Sequence, residues 1–197
     1  RALAARGHSV TFFERDVPYY AAHRDTTRPD GCDLRLYASW DDTWRQAIDE
    51  LAGADIGMVT WFCAHARDAS ALVLGCDVAV KAYYDMDTPV TLHALASGER
   101  PEYIPAFGLA DFDVVFSYSG GRSLEQVATL LGAKRVAPLY GSVDPDVHHR
   151  VPQNPQFVSD LSYLGTYAAD RQEALDTLFM EPSRRLPAKR LRNPLEL

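Results

Sequence analysis

The sequence predicts an α/β protein built on a doubly wound, mostly parallel sheet, followed by the opening of a second unit of the same kind. Two observations carry this. Apolar, β-branched runs recur at the spacing of strand–helix–strand units, and helical stretches between them close on glycine, as at Gly53 and Gly132. One junction is visible in full at 83–90, YYDMDTPV: an apolar strand, an acid-rich turn, then a helix with Pro89 in its first turn, where proline is tolerated.

Residues 1–6 read as the last turns of a helix capped by Gly7, so the first strand of the sheet is expected upstream of Arg1. Ser9–Glu14 (SVTFFE) reads as a buried strand, and 17–31, charged and holding Pro18 and Pro29, as a loop. Asp33–Tyr37 alternates and forms the next strand, and Asp41 or Asp42 caps a helix running to about Leu51. Asp55–Phe62 is a nearly continuous apolar strand, the pattern of a strand covered on both faces. A short helix, Asp68–Leu74, leads to the central strand Val78–Tyr84, and Asp87 or Thr88 caps the helix after it. Residues 98–109 form a loop, Asp113–Tyr118 a strand, Ser123–Leu131 a helix and Arg135–Leu139 a last short strand.

These elements fill an N-terminal domain, 1–141. Residues 142–158, with Pro145, Pro152 and Pro155 and few large apolar side chains, form a linker. A second domain opens at 159 with a strand at Leu161–Leu164, a turn at Gly165–Thr166, and a helix, Ala168–Met180, carrying Leu175, Leu178 and Phe179 on one face. Residues 159–197 hold only its first strand–helix unit, and 188–197 (AKRLRNPLEL) lack the pattern of a following strand.

Composition sets the outer bounds. The chain of 197 residues is 47% hydrophobic and 24% charged, ordinary for a globular domain. A net charge of −7 gives no reason to expect nucleic acid or an anionic membrane as a partner. No apolar run approaches the roughly 18 residues of a membrane span. Cys32, Cys63 and Cys76 are odd in number and lack CxxC spacing, which fits free thiols in the cytoplasm.

Several residues carry chemistry. Ligands of parallel sheets bind at the strand C-termini, so the turn with Asp85, Asp87 and Thr88 is either a ligand wall or a capping device. As a wall, either carboxylate could take a proton from a bound hydroxyl. Asp85 and Asp87, two apart, could also share a divalent cation, but two ligands alone do not make a site, and no metal is expected. Gly120–Gly121, between a strand and a helix, either admit an anion at the helix N-terminus or form an ordinary turn. Gly165, Thr166 and Tyr167 occupy the same kind of junction, with Arg171 able to pair with phosphate or to face solvent. His23 lies in a loop after a strand, where sites are built. Glu14 ends its strand where dinucleotide-binding folds place the acid that holds a ribose, so a fragment of a dinucleotide-binding oxidoreductase is one alternative. A non-catalytic binding domain is another.

The segments RGHSVTFFERD (6–16), YYDMDTPVTLHAL (83–95), FDVVFSYSGG (112–121), APLYGSVDPDVH (137–148) and DLSYLGTYAADR (160–171) together resemble a bacterial glycosyltransferase family related to the spore maturation protein CgeB. That family is similar to the two-domain GT-B glycosyltransferases. The resemblance implies a Rossmann-like N-terminal domain on the acceptor side and a second Rossmann-like domain that holds a nucleotide-sugar donor, with reaction in the cleft between them. It implies transfer of a sugar without a resident cofactor or metal. The donor contacts would be Gly165, Thr166, Tyr167 and Arg171. Asp85 and Asp87 would be the catalytic candidates, with Glu14, His23, Thr88, Gly120 and Gly121 on the acceptor side. Because the donor domain is cut short, the fragment is expected to be inactive alone.

Overall fold

The computed structural model describes residues 1–61, 63–165 and 169–192, with the backbone alone described at Asp170, Leu191 and Arg192. The chain divides into two compact units, Arg1–Ser142 and Val143–Leu197. In order, the first contains β1 (Thr11–Arg15), α1 (Pro18–His23), β2 (Asp33–Tyr37), α2 (Trp40–Ala52), β3 (Ile56–Thr60), α3 (Ala66–Gly75), β4 (Val80–Asp85), α4 (Thr88–Ala96), β5 (Val114–Ser117), α5 (Arg122–Leu131) and β6 (Val136–Pro138).

The first unit is α/β and Rossmann-like. β3, β4, β5 and β6 lie side by side in that order, every pairing parallel, and helices flank the sheet. Register places Val59, Tyr83 and Val115 next to one another on one face, all at 3% exposure or less. Val73 of α3, Leu92 of α4, and Val127 and Leu131 of α5 pack into the same core. Phe112 meets the Tyr83 ring edge-on at 5.5 Å, and the Tyr83 hydroxyl donates to the Tyr103 carbonyl at 3.0 Å. A buried phenol with its hydroxyl satisfied keeps its apolar contribution without a desolvation penalty. The helix ends follow local chemistry. Gly7 and Gly132 sit at φ 86 and 74, left-handed positions that favour glycine.

Four details differ from the sequence reading. First, the six strands form two sheets rather than one: β1 pairs only with β2, parallel, beside the four-stranded sheet. Consistent with this, β3 hydrogen-bonds to β4 alone, and although Gly57 and Val59 are buried, Ile56 and Met58 are 57% and 44% exposed. An apolar run reports affinity for a core, not the number of neighbours a strand obtains. Second, residues 18–23 are helical, not loop. Pro18 starts this helix at a position proline favours, and its exposed Tyr19, Tyr20 and His23 show no apolar period. Third, α2 has Ser39 at its N-cap, and Asp41 and Asp42 occupy the first turn, where their charge complements the helix dipole. Fourth, the loop 98–112 has no regular element, yet Ile104, Leu109 and Phe112 are at most 1% exposed and close one end of the core.

In the second unit, β7 (Leu161–Ser162) pairs in parallel with β8 (Leu191–Arg192), so a strand does follow the helix within 188–197. A helical run between them contains α6 (Gln172–Leu175), a widened turn at Asp176–Met180, and α7 (Glu181–Arg185). Asp160 anchors the returning chain, accepting the Arg190 N–H at 2.9 Å and pairing with Lys189 at 3.4 Å.

Gly108 tests how tightly the 98–112 loop is fixed. It sits at φ 79, and a Cβ there would lie 2.8 Å from the Leu131 carbonyl oxygen, which already accepts the Leu109 N–H. Gly108→Ala should cost roughly 1–3 kcal/mol, read as a lower denaturant midpoint at unchanged slope. Gly98→Ala, also at φ 79 but with open space around the added carbon, should cost less. Equal midpoints for the two variants would show that the Leu131 contact does not fix the loop.

Candidate functional site

The best-defined polar site lies at the C-terminal end of β4. Alternation along the strand puts Asp85 on the same side as Tyr83, and Asp85 is fully buried, in register with the equally buried Ser117 of β5. Asp85 Oδ1 accepts the backbone N–H of Asp87 at 3.1 Å. This closes an Asx turn, a local side-chain bond that ends the strand. Asp87 occupies the N-cap of α4 without using its carboxylate as a cap; its carbonyl accepts the N–H groups of Val90 and Thr91 at 2.9 and 3.1 Å.

Hydroxyls knit the rest together. Thr88 Oγ1 and Ser117 Oγ are 2.7 Å apart, and Ser117 Oγ donates to the Ser119 carbonyl at 2.8 Å. Thr91 Oγ1 lies 2.9 Å from the Tyr103 hydroxyl. The turn after β4, the turn after β5 and the 98–112 loop therefore meet around one carboxyl group. Within that network Asp85 Oδ2 has no hydrogen-bond partner. An ionised oxygen buried in this state is costly. Burial accordingly pushes the Asp85 pKa above the usual carboxylate range, while the neighbouring Thr91 and Thr88 hydroxyls and the Asp87 N–H pull it part of the way back.

Asp87 contrasts with Asp85. It is half-buried, and its carboxylate makes no hydrogen bond or ion pair among the described residues. Two carboxylates two residues apart are thus held in different environments: one sealed and drawn towards its protonated form, the other half-buried and unengaged.

The structure gathers Asp85, Asp87 and Thr88 and brings the Gly120–Gly121 turn beside them through Ser117 and Ser119. Gly121 is the N-cap of α5 at φ 65, and a Cβ on Gly120 would collide with the Tyr140 hydroxyl, so that junction is packed by its own chain. Glu14 and His23 make no hydrogen bond or ion pair to the β4 turn among the described residues. Glu14 Oε1 is held at 2.9 Å by Arg24, which also binds Asp16 at 3.1 Å and is itself only 10% exposed. A ribose would have to compete with that guanidinium. His23 is exposed against Tyr19. In the second unit, Thr166 and Tyr167 lie outside the described residues, Gly165 packs on the Tyr163 ring, and Arg171 is exposed at the start of α6.

Sequence reasoning missed Ser117, Thr91, Tyr103 and Arg24. Ser117 had a signal, a small polar residue ending an apolar strand; Tyr103 had none, since its loop carries no period. Among the described residues, no group of three or more His, Cys, Asp or Glu could hold a metal ion, and no helix is long and apolar enough to cross a membrane. The three cysteines are free thiols. Comparison with protein-family models, curated proteins and solved structures returned no match for this chain.

The raised Asp85 pKa gives a signed pH dependence. Native Asp85 keeps a proton that the unfolded chain releases from about its ordinary value of 3.8 upward. Native protein therefore binds more protons in that window, and stability falls as pH rises through it, levelling off above the folded pKa. Asp85→Asn keeps an acceptor for the Asp87 N–H but cannot ionise. Its melting temperature should approach that of the wild type at acid pH and exceed it at pH above the window. A gap that narrows as pH rises would reverse the assignment.

Proposed function

We propose that this chain is the acceptor-side part of a glycosyltransferase that uses a nucleotide-sugar donor, of the type its sequence resembles. One observation carries the reading: at the C-terminal end of the central strand, where parallel sheets bind ligands, a buried acid fixes a turn that presents a second, unengaged carboxylate. In this proposal Asp87 is the base. An acceptor hydroxyl attacks the anomeric carbon of the donor, the bond from that carbon to the diphosphate breaks, and nucleoside diphosphate leaves. The hydroxyl proton passes to the Asp87 carboxylate. Asp85 positions Asp87, and its burial disfavours a second negative charge beside a departing diphosphate.

Positioning accounts for much of the rate in such a reaction, because the protein need only hold two substrates in line. A rigid turn supplies that positioning. The Asp87 backbone is tied by its N–H to Asp85 and by its carbonyl to the first turn of α4. On the donor side the proposal assigns Gly165, Thr166, Tyr167 and Arg171, on the resemblance alone.

The test is release of nucleoside diphosphate from a panel of UDP-, GDP- and dTDP-sugars by the gene product that carries this sequence. Asp87→Asn should lower kcat by roughly 10²–10⁴-fold with KM little changed. Asp85→Asn should alter thermal stability with pH and leave kcat far closer to wild type. Failure to turn over any nucleotide sugar ends the reading. Turnover that survives Asp87→Asn but not Asp85→Asn exchanges the two roles.

A further inference from the structure

A second polar concavity lies away from the β4 turn. A cavity of about 350 Å³ opens among the ends of β1, β2 and β3, lined by Arg15, Ser39, Trp40, Asp41, His65 and Asp68. Its aromatic wall is fixed from behind. The Trp40 and His65 rings stack at 5.7 Å and 22°, and Tyr37, only 6% exposed, supports both at 6.2 and 6.1 Å. The remaining lining is unspent. The side chains of Arg15, Ser39, Asp41 and Asp68 make no hydrogen bond or ion pair among the described residues, and Ser39 stands at the α2 N-cap without donating or accepting there.

We infer that this cavity binds a neutral, polyhydroxylated ring, a monosaccharide unit. The inference goes beyond the proposed function: it stands on the cavity lining and holds whether or not the β4 turn transfers a sugar. Chemistry selects the ligand class. Asp41 and Asp68 can only accept hydrogen bonds, Arg15 can only donate, and the Ser39 hydroxyl does both. A compact ligand that satisfies all of them must carry donors and acceptors densely around a small body, as vicinal hydroxyls do. An anion such as phosphate meets two carboxylates against one guanidinium. A simple ammonium leaves Arg15 unanswered. A nucleobase suits the aromatic wall but brings few donors to the two carboxylates. The C–H face of a pyranose packs on an indole while its rim of hydroxyls reaches the charged groups. The volume falls at the small end of the roughly 300–1,000 Å³ typical of ligand sites, matching one or two rings.

The experiment is saturation-transfer NMR on the chain itself, with methyl glycosides of glucose, galactose, mannose and N-acetylglucosamine as probes and inorganic phosphate and adenosine as competitors. Binding needs no turnover, so the result is independent of the glycosyltransferase assay. At least one glycoside should bind, and Asp41→Asn and Asp68→Asn should each weaken it about 10-fold. Both residues are exposed, so these variants keep the fold; Trp40→Ala should abolish binding, with thermal melting as its folding control. No binding by any glycoside at tens of millimolar overturns the inference. So does binding unaffected in the Asp41→Asn/Asp68→Asn double variant, or tighter binding of phosphate or adenosine than of every glycoside.

Discussion

Burying Asp85 at the end of β4 is the constraint on which the surrounding structure depends. A carboxyl group with no exposed surface must be answered by donors or must hold a proton. One oxygen is answered by the Asp87 N–H, and that single bond stops the strand and aims the chain into α4. Once the turn is set, Thr88 reaches Ser117 on β5 and Thr91 reaches Tyr103 in the 98–112 loop. Three segments distant in the chain are joined there through side-chain hydroxyls. The arrangement is specific because hydroxyls donate and accept along defined directions, and a shift of any one segment leaves a buried polar atom unpaired.

The same bond explains why Asp85 and Asp87 part company. Along an extended strand, residues two apart share a face and would share an environment. Asp87 has left that regime: its φ of −136 and ψ of 52 lie outside the strand, so its side chain does not follow Asp85 inward. In the sequence the two acids look equivalent, and a capping role and a ligand-facing role are open to both. The distinction rests on which residue ends the strand, and the order of the two acids in the sequence does not reveal which of them will close the turn.

Other parts are plain from the sequence because short-range chemistry dictates them. Gly7 and Gly132 mark helix ends through left-handed backbone that other residues resist, and β2 alternates charged and apolar residues from Asp33 to Leu36. What the sequence hides is set at long range. The number of neighbours around β3, the helix at Pro18–His23 with no buried residue, and the pairing of Leu161–Ser162 with Leu191–Arg192 all depend on partners distant in the chain or on no apolar period. Arg24 belongs here as well: nothing in the sequence around it announces that it will reach back to Glu14 and Asp16.

The split of the first unit into two sheets has a consequence for its two polar sites. Within each sheet, backbone hydrogen bonds fix strand against strand. The ends of β2 and β3 have no such ladder between them; there the association runs through Tyr37, Trp40 and His65, ring against ring. Dispersion and burial between rings tolerate small displacements that a hydrogen-bond ladder does not. The turn at Asp85 is therefore framed by adjacent strands of one sheet, whereas the cavity beside Trp40 is framed by side chains that bridge two. Local opening draws on the weakest link first. The turn at the end of β4 is thus the more firmly fixed of the two places, and the aromatic-walled cavity the more adaptable.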